Sequence, residues 1–175
     1  MTAHAIALRP AAASDARAIA QMSRDLVESG LGWKYDPERV MRAIAHRETT
    51  TLVACEDGRR PAAPGDSMAG FSIMEFGDER AHLVLLAVRP THRRLGIGRR
   101  MLEWLTESAF AAGMQSIHLE LRAGNEAARA FYRAMGYSGT MILPGYYRGR
   151  ESALRMIRVL RAPGQAAPHW QPPAR

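Results

Sequence analysis

A single cysteine, Cys55, and a single lysine, Lys34, stand in a chain of 175 residues. One cysteine excludes an internal disulfide, so a reducing compartment, the cytoplasm, is the expected location. Cys55 closes the strand-like run Thr51-Leu-Val-Ala-Cys55, which reads as a buried core thiol and not as a nucleophile. No apolar stretch approaches the ~20 residues a membrane-spanning helix needs, so no membrane partner is expected. The first residues lack a basic segment leading into an apolar one, with Asp15 and Arg17 interrupting it, so no signal peptide is expected. The six histidines show no metal-ligand spacing, and no metal is expected. Neither G-x-G-x-x-G nor Gly-Lys-Ser/Thr occurs after a strand, which excludes the two best-known phosphate loops. The net charge is +7, yet no stripe interleaves aromatic with basic residues. Nucleic acid is therefore not the expected partner, and an anionic cofactor accounts for local basicity equally well.

Length and an apolar content of 47% predict one globular domain over residues 1–161. Residues 162–175, rich in Pro and Ala without periodicity, read as a disordered tail. A short strand at Ile6–Pro10 comes first. Ser14 is positioned to cap a helix running to about Ser29, with Ile19, Met22, Leu26 and Val27 at helical spacing. Asp36 and Pro37 start a second helix to about His46. Strands follow at Thr50–Glu56 and Ala69–Phe76, separated by an Asp57–Gly58 turn and a polar loop over Arg59–Ser67. The third strand of this meander starts at about Ala81. A helix over about Gly98–Ala112, a strand at Ser116–Leu121, and a helix from Asn125 to about Met135 come next. Tyr137–Leu143 and Ala153–Leu160 make a last strand pair. The order implies a mixed α+β (α/β) fold, with a mostly antiparallel sheet of about seven strands and about four flanking helices.

The stretch Leu83–Leu102 organises the rest. Leu83–Val88 is an unbroken apolar run suited to a strand covered on both faces. Pro90 ends it, and Arg93-x-x-Gly96-x-Gly98 leads into an amphipathic helix. Glycines at a helix start let backbone N–H groups approach an anion, and the helix dipole adds positive potential there. Arg89, Arg93, Arg94, Arg99 and Arg100 surround the loop, a design suited to a pyrophosphate.

Arg/Gln-x-x-Gly-x-Gly/Ala after a strand resembles the acetyl-coenzyme A loop of the GNAT superfamily of N-acetyltransferases. Two further segments carry the likeness. Leu119-Glu-Leu-Arg-Ala-Gly-Asn125 is a strand ending in a turn. Ala127-Ala-Arg-Ala-Phe-Tyr-Arg-Ala-Met-Gly-Tyr137 resembles the superfamily's Asn-x-x-A-x-x-(F/L)-Y-x-x-x-G-(F/Y) helix. Within the superfamily the chain is similar to the RimI-like group that acetylates protein N-termini. It shares a Tyr146–Tyr147 pair before Glu151-x-Ala153-x-x-Met156. It departs from that group at Gly30-Leu-Gly-Trp33, in the Arg59–Ser67 loop and in the tail. The resemblance implies that backbone groups of Leu86, Ala87 and Val88 hold the pantetheine of acetyl-CoA as an added strand. It also implies that Arg93, Arg94, Leu95, Gly96, Ile97, Gly98 and Arg99 hold the pyrophosphate.

Transfer of an acetyl group from a thioester requires a neutral amine, so a base is useful. Alternation along the strand puts Ser116, His118 and Glu120 on one face and Ile117, Leu119 and Leu121 on the other. Glu120 is the candidate base, directly or through water; His118 is the alternative. A structural Glu120 paired with Arg122 or another arginine is the competing reading. By resemblance Tyr132 protonates the leaving thiolate and also touches the cofactor, unless it only packs into the core. Asn125 binds pantetheine, caps its helix, or does both. Trp33, Tyr35, Tyr146 and Tyr147 line the acceptor site or anchor loops. The acceptor is then a peptide N-terminus or a small-molecule amine, with a homodimer formed by the last strand pair as family habit. A non-catalytic acyl-CoA-binding module is the alternative function.

Overall fold

The computed structural model describes residues 6–56 and 68–162. The expected Asp57–Gly58 turn, the Arg59–Ser67 loop and the tail beyond Ala162 lie outside these residues. The strands are β1 (Ile6–Pro10), β2 (Thr49–Glu56), β3 (Met68–Phe76), β4 (Arg80–Val88), β5 (Ser116–Arg122), β6 (Ser138–Tyr147) and β7 (Glu151–Val159). The helices are α1 (Ala16–Leu26), α2 (Pro37–Ala45), α3 (Ile97–Ala111) and α4 (Glu126–Ala134). Among the described residues, no helix is long and apolar enough to cross a membrane.

All seven strands form one sheet in the order β1-β2-β3-β4-β5-β7-β6. Every neighbouring pair is antiparallel except β4–β5, which is parallel. A parallel pair needs a long crossover, and α3 supplies it. Helices α1 and α2 cover one face through Ile19, Met22 and Val40, packed on Val53, Phe71 and Ile73. Helices α3 and α4 cover the other face through Leu102, Leu105 and Tyr132, packed on Ile117, Leu119 and Met156. Cys55 is fully buried within the α1–α2 core, as expected, and burial pushes its thiol up.

Two features of β4 decide where a site can form. Its pairing with β5 covers only Arg80↔Ser116, Ala81↔Ile117 and His82↔His118, after which the strands part. From Leu83 onward, the β4 edge facing β5 has no strand partner among the described residues. Second, Ile73 pairs with Leu85 and Met74 with Leu83, so Val84 is an extra residue, a β-bulge. The bulge switches which face each side chain meets. Ala81 and Leu83 join the α3–α4 core, whereas Leu85 and Ala87 join the α1–α2 core. Leu86 and Val88 then turn to Ile97 and Met101 of α3. The unbroken apolar run thus serves cores on both sheet faces, as its composition suggested.

Local start and stop signals differ from expectation at three places. Ser14 does not cap α1; it lies in a short 3-10 turn over Ala13–Asp15. The Asp15 carboxylate holds that turn, accepting from the Ala12 N–H at 2.7 Å and from both terminal nitrogens of Arg9 at 2.7 and 3.0 Å. Helix α1 stops at Leu26 and does not reach Ser29. Strand β6 runs through to Tyr147, so the Tyr146–Tyr147 pair ends a strand and does not sit in a loop. Asp36 caps α2 as expected, accepting from the Arg39 N–H at 2.8 Å.

Candidate active site

The parting of β4 and β5 opens a cleft of about 820 Å³. One wall is Leu83–Leu86 and the other is Leu119–Asn125. At the β4 end stands the basic loop. Gly96 adopts φ +74° as the N-cap of α3, and Arg94 adopts φ +67°. Two left-handed residues spaced by one curl the chain so that successive amides face a common centre. Among the described residues, the amides of Arg94 through Arg99 donate to no other group of the chain. A helix start leaves four such donors free; here the loop extends the free run to six. Ile97 anchors it by burying its side chain beside Met101 and Leu52, while Arg93, Arg94, Leu95 and Arg99 stay exposed. Arg99 is held by Glu103 at 2.8 Å and Arg100 by the carbonyl of Ile6 at 3.0 Å. The free β4 edge and the free amides fit an extended carrier ending in phosphates.

Asn125 caps α4, its Oδ1 accepting from the Ala128 N–H at 3.1 Å, and it also lines the cleft. Tyr132 lines the same cleft and is otherwise buried. Burial pushes its hydroxyl well above the ordinary tyrosine range, so it stays protonated. Leu86 is in the cleft wall; Ala87 and Val88 continue the free edge toward the loop.

A second pocket of about 290 Å³ adjoins the cleft on the α1–α2 side. Glu120 and Tyr147 line both. Tyr35 and Tyr146 line the smaller pocket, whereas Trp33 lines neither. Trp33 is a loop anchor: its Nε1 donates to the Ala20 carbonyl at 3.2 Å, and the Arg24 guanidinium lies 5.5 Å from its ring. Burial pushes the Tyr147 hydroxyl up to about 12.

Glu120 sits where cleft and pocket meet, on the face that alternation assigned to it. Its side chain is only 5% exposed. Oε1 accepts from Arg155 Nε at 2.7 Å, across the β5–β7 register Glu120↔Arg155. Oε2 meets His82 Nε2 at 2.7 Å. The arginine partner is therefore Arg155. Arg122 instead reaches Glu151 at 3.3 Å and the carbonyl of Ser29. Burial alone would raise the Glu120 carboxyl, but the hydrogen bonds from His82 and Arg155 outweigh it and hold it down to about 2. Glu120 is thus a carboxylate held on both oxygens by charged or polar donors.

His118, the alternative base, stacks on His82 with ring centroids 4.4 Å apart and planes 4° from parallel. Its Nδ1 is buried without a partner, and burial, with His82 beside it, lowers its affinity for a proton. One donor atom each from His82, His118 and Glu120 lies within 4.8 Å of the others, a grouping no spacing in the sequence announces. It does not suit a metal. An ion bonds in the plane of an imidazole at about 2 Å, and parallel planes this far apart cannot both satisfy that for one ion.

Sequence reasoning did not single out Glu28, His82 or Arg155. Glu28 is buried and folds the α1–α2 connection back on itself. It accepts from Ser23 Oγ at 2.9 Å, the Lys34 N–H at 2.7 Å and the Tyr35 N–H at 3.2 Å. His82 was open to discovery, since it is the one polar side chain between Ala81 and Val88.

A seven-stranded sheet parted at its parallel pair, with a run of free amides at one mouth, is the architecture of an acyl-coenzyme A-dependent acetyltransferase. A sequence model of the acetyltransferase (GNAT) family matches residues 19–137, and the chain belongs to that family. It is 38% identical over 92 residues to the [ribosomal protein bS18]-alanine N-acetyltransferase of Escherichia coli K12, covering 51% of this chain and 62% of the relative. The matched part thus spans less than two thirds of that relative's length. The crystal structure of the ribosomal-protein-S18-alanine N-acetyltransferase from Escherichia coli superposes with a TM-score of 0.73 at 24% identity, covering 92% of this chain and 97% of that one. Arabidopsis thaliana NAA60 in complex with acetyl-CoA gives 0.78 at 17% identity, covering 90% and 100%.

Proposed function

We propose that this protein is an acetyl-CoA-dependent N-acetyltransferase that acetylates a primary amine by direct attack in a ternary complex. The observation that carries the reading is the parted β4–β5 edge ending in six free amides, which suits pantetheine along the strand and pyrophosphate at the loop. Leu86, Ala87 and Val88 pair with the pantetheine; Arg93 to Arg99 hold the pyrophosphate; Asn125 flanks the chain. The thioester comes to the place where the large cleft meets the smaller pocket. The acceptor enters through the smaller pocket, past Tyr35, Tyr146 and Tyr147.

Glu120 lines both spaces, and its carboxylate attracts the amine toward the thioester. The amine gives one proton to solvent and attacks the carbonyl carbon as the neutral form; a C–N bond forms, the C–S bond breaks, and the surplus proton leaves nitrogen for a base at the smaller pocket. The Tyr132 hydroxyl donates to the departing thiolate. A backbone N–H of β4 near Val88 stabilises the oxyanion. An α-amine is the favoured acceptor, because its pKa of about 7.7–8.0 leaves more neutral amine than a lysine does; the relative that acetylates a protein alanine supports the same choice. Cytoplasmic location follows from this co-substrate and the single cysteine.

The test is thermal melting with acetyl-CoA against adenosine phosphates, followed by acetylation of peptides with free N-termini. Ligand well above its Kd raises the melting point by several degrees. Stabilisation with turnover supports the enzyme, and stabilisation without turnover of any amine leaves the binding module. No shift removes both.

A further inference from the structure

We propose that His82, and not Glu120, accepts the proton of the acceptor amine, with Glu120 and Arg155 positioning its ring. The inference rests on the acetyltransferase reading above and assigns the proton transfer within it.

The geometry is that of a carboxylate–imidazole pair. Glu120 is ionised and can only accept, so the hydrogen of the 2.7 Å contact rides on His82 Nε2. That leaves His82 Nδ1 as the nitrogen with a free lone pair. His82 lines the smaller pocket together with Glu120, Tyr146 and Tyr147, so the imidazole is available on the acceptor side. Glu120 is locked on both oxygens, since Arg155 Nε holds Oε1 at the same 2.7 Å. A carboxylate fixed by two donors orients a ring but takes no proton. His118 stacks face to face on His82, and burial with His82 beside it lowers its own affinity for a proton.

The charges around His82 come from each neighbouring element. On β3 its cross-strand partner is Glu75; on β4 Arg80 lies two residues before it; β5 supplies Glu120, and β7 supplies Arg155. Lys34 and Arg39 from the α1–α2 side and Arg148 after β6 line the same pocket. Glu28 lines it too, with its carboxylate already committed to Ser23, Lys34 and Tyr35. Carboxylates and guanidinium groups thus surround the imidazole with charge of both signs.

Each bond and proton is accounted for. The neutral amine attacks, C–N forms and C–S breaks. The surplus amine proton passes to His82 Nδ1, the thiolate takes its proton from Tyr132, and solvent restores both groups.

The test is the pH profile of kcat with acetyl-CoA and peptide saturating, for wild type, His82→Gln and His82→Asn. Two peptide acceptors whose α-amines differ in pKa are used. Gln and Asn keep a donor toward Glu120, so a merely positioning His82 would survive one of them. The expected wild-type profile has an acid limb at the same pH for both acceptors. In both variants that limb disappears and kcat drops about 100-fold, while acetyl-CoA still raises the melting point. Added imidazole restores turnover to His82→Ala. A limb that moves with the acceptor's own pKa, or a His82→Gln enzyme within about threefold of wild type, overturns the role of His82 and leaves the acetyltransferase standing. A wild-type protein that binds acetyl-CoA and acetylates no amine overturns both.

Discussion

The guanidinium of Arg148 lies against Gly32, where an added Cβ would stand 2.0 Å from Nη2. Two segments more than a hundred residues apart thereby meet across the smaller pocket: the α1–α2 connection and the β6–β7 turn. Both residues hold left-handed backbone, φ +80° at Gly32 and φ +54° at Arg148. Gly32→Ala would force the flexible arginine to move and would cost about 1 kcal/mol of backbone strain. The expected outcome is a several-fold rise in KM for the acceptor with an unchanged melting shift by acetyl-CoA. Steady-state kinetics with each substrate varied in turn checks it.

Gly96 makes the opposite prediction. A Cβ there meets nothing within 4 Å, so the cost of Gly96→Ala is purely the left-handed φ of +74°. That strain, about 1 kcal/mol, falls on the loop that gathers the free amides. Acetyl-CoA affinity should fall about fivefold to tenfold with KM for the acceptor little changed. Isothermal titration with acetyl-CoA reads it directly.

Local chemistry made most of this architecture legible. Pro90, the spaced glycines and the 3.6 period placed the loop and α3, and alternation placed Glu120 on the face away from Leu119. What the chain order hid is pairing. His82 and Arg155 come to Glu120 from opposite sides, by a parallel register with β4 and an antiparallel one with β7. Neither register has a signature in any one segment. The bulge at Val84 was hidden because an all-apolar run reads the same before and after a switch of face. Glu28 looked like one more helical residue, and only its three buried hydrogen bonds reveal it as the fold of the acceptor loop. Trp33 read equally as an acceptor contact or a loop anchor, and only the donation of its indole N–H to Ala20 separates the two.

The Glu120 carboxyl predicts a pH dependence of stability. Its folded pKa of about 2 lies below the ordinary 4.5, so its contribution is fully present above about pH 4.5 and is lost as pH falls toward 2. With the site open to solvent on the cleft side, about 1–2 kcal/mol is expected across that window. Urea unfolding of wild type should show this slope, and Glu120→Gln should lack it. A variant as acid-sensitive as wild type would mean that other carboxylates, Asp15 with its Arg9 pair first among them, carry the effect.

Tyr132 offers the sharpest separation of packing from chemistry. Its ring touches Phe131 and Tyr137 edge-on, at centroid distances of 5.1 and 5.6 Å, so the aromatic body is core. Only the hydroxyl is left for the cleft. Tyr132→Phe keeps the packing, and the melting point should stay within about 2 °C of wild type. If the hydroxyl donates to the leaving thiolate, kcat should fall about 100-fold while acetyl-CoA still binds. Burial keeps that hydroxyl protonated far above neutrality, so the wild-type to variant ratio should be constant from pH 6 to 9. A ratio near one at every pH would assign Tyr132 to the core alone. A ratio that grows with the basicity of the leaving thiol, tested with acyl donors of differing thiol pKa, would tie the loss to the proton it delivers.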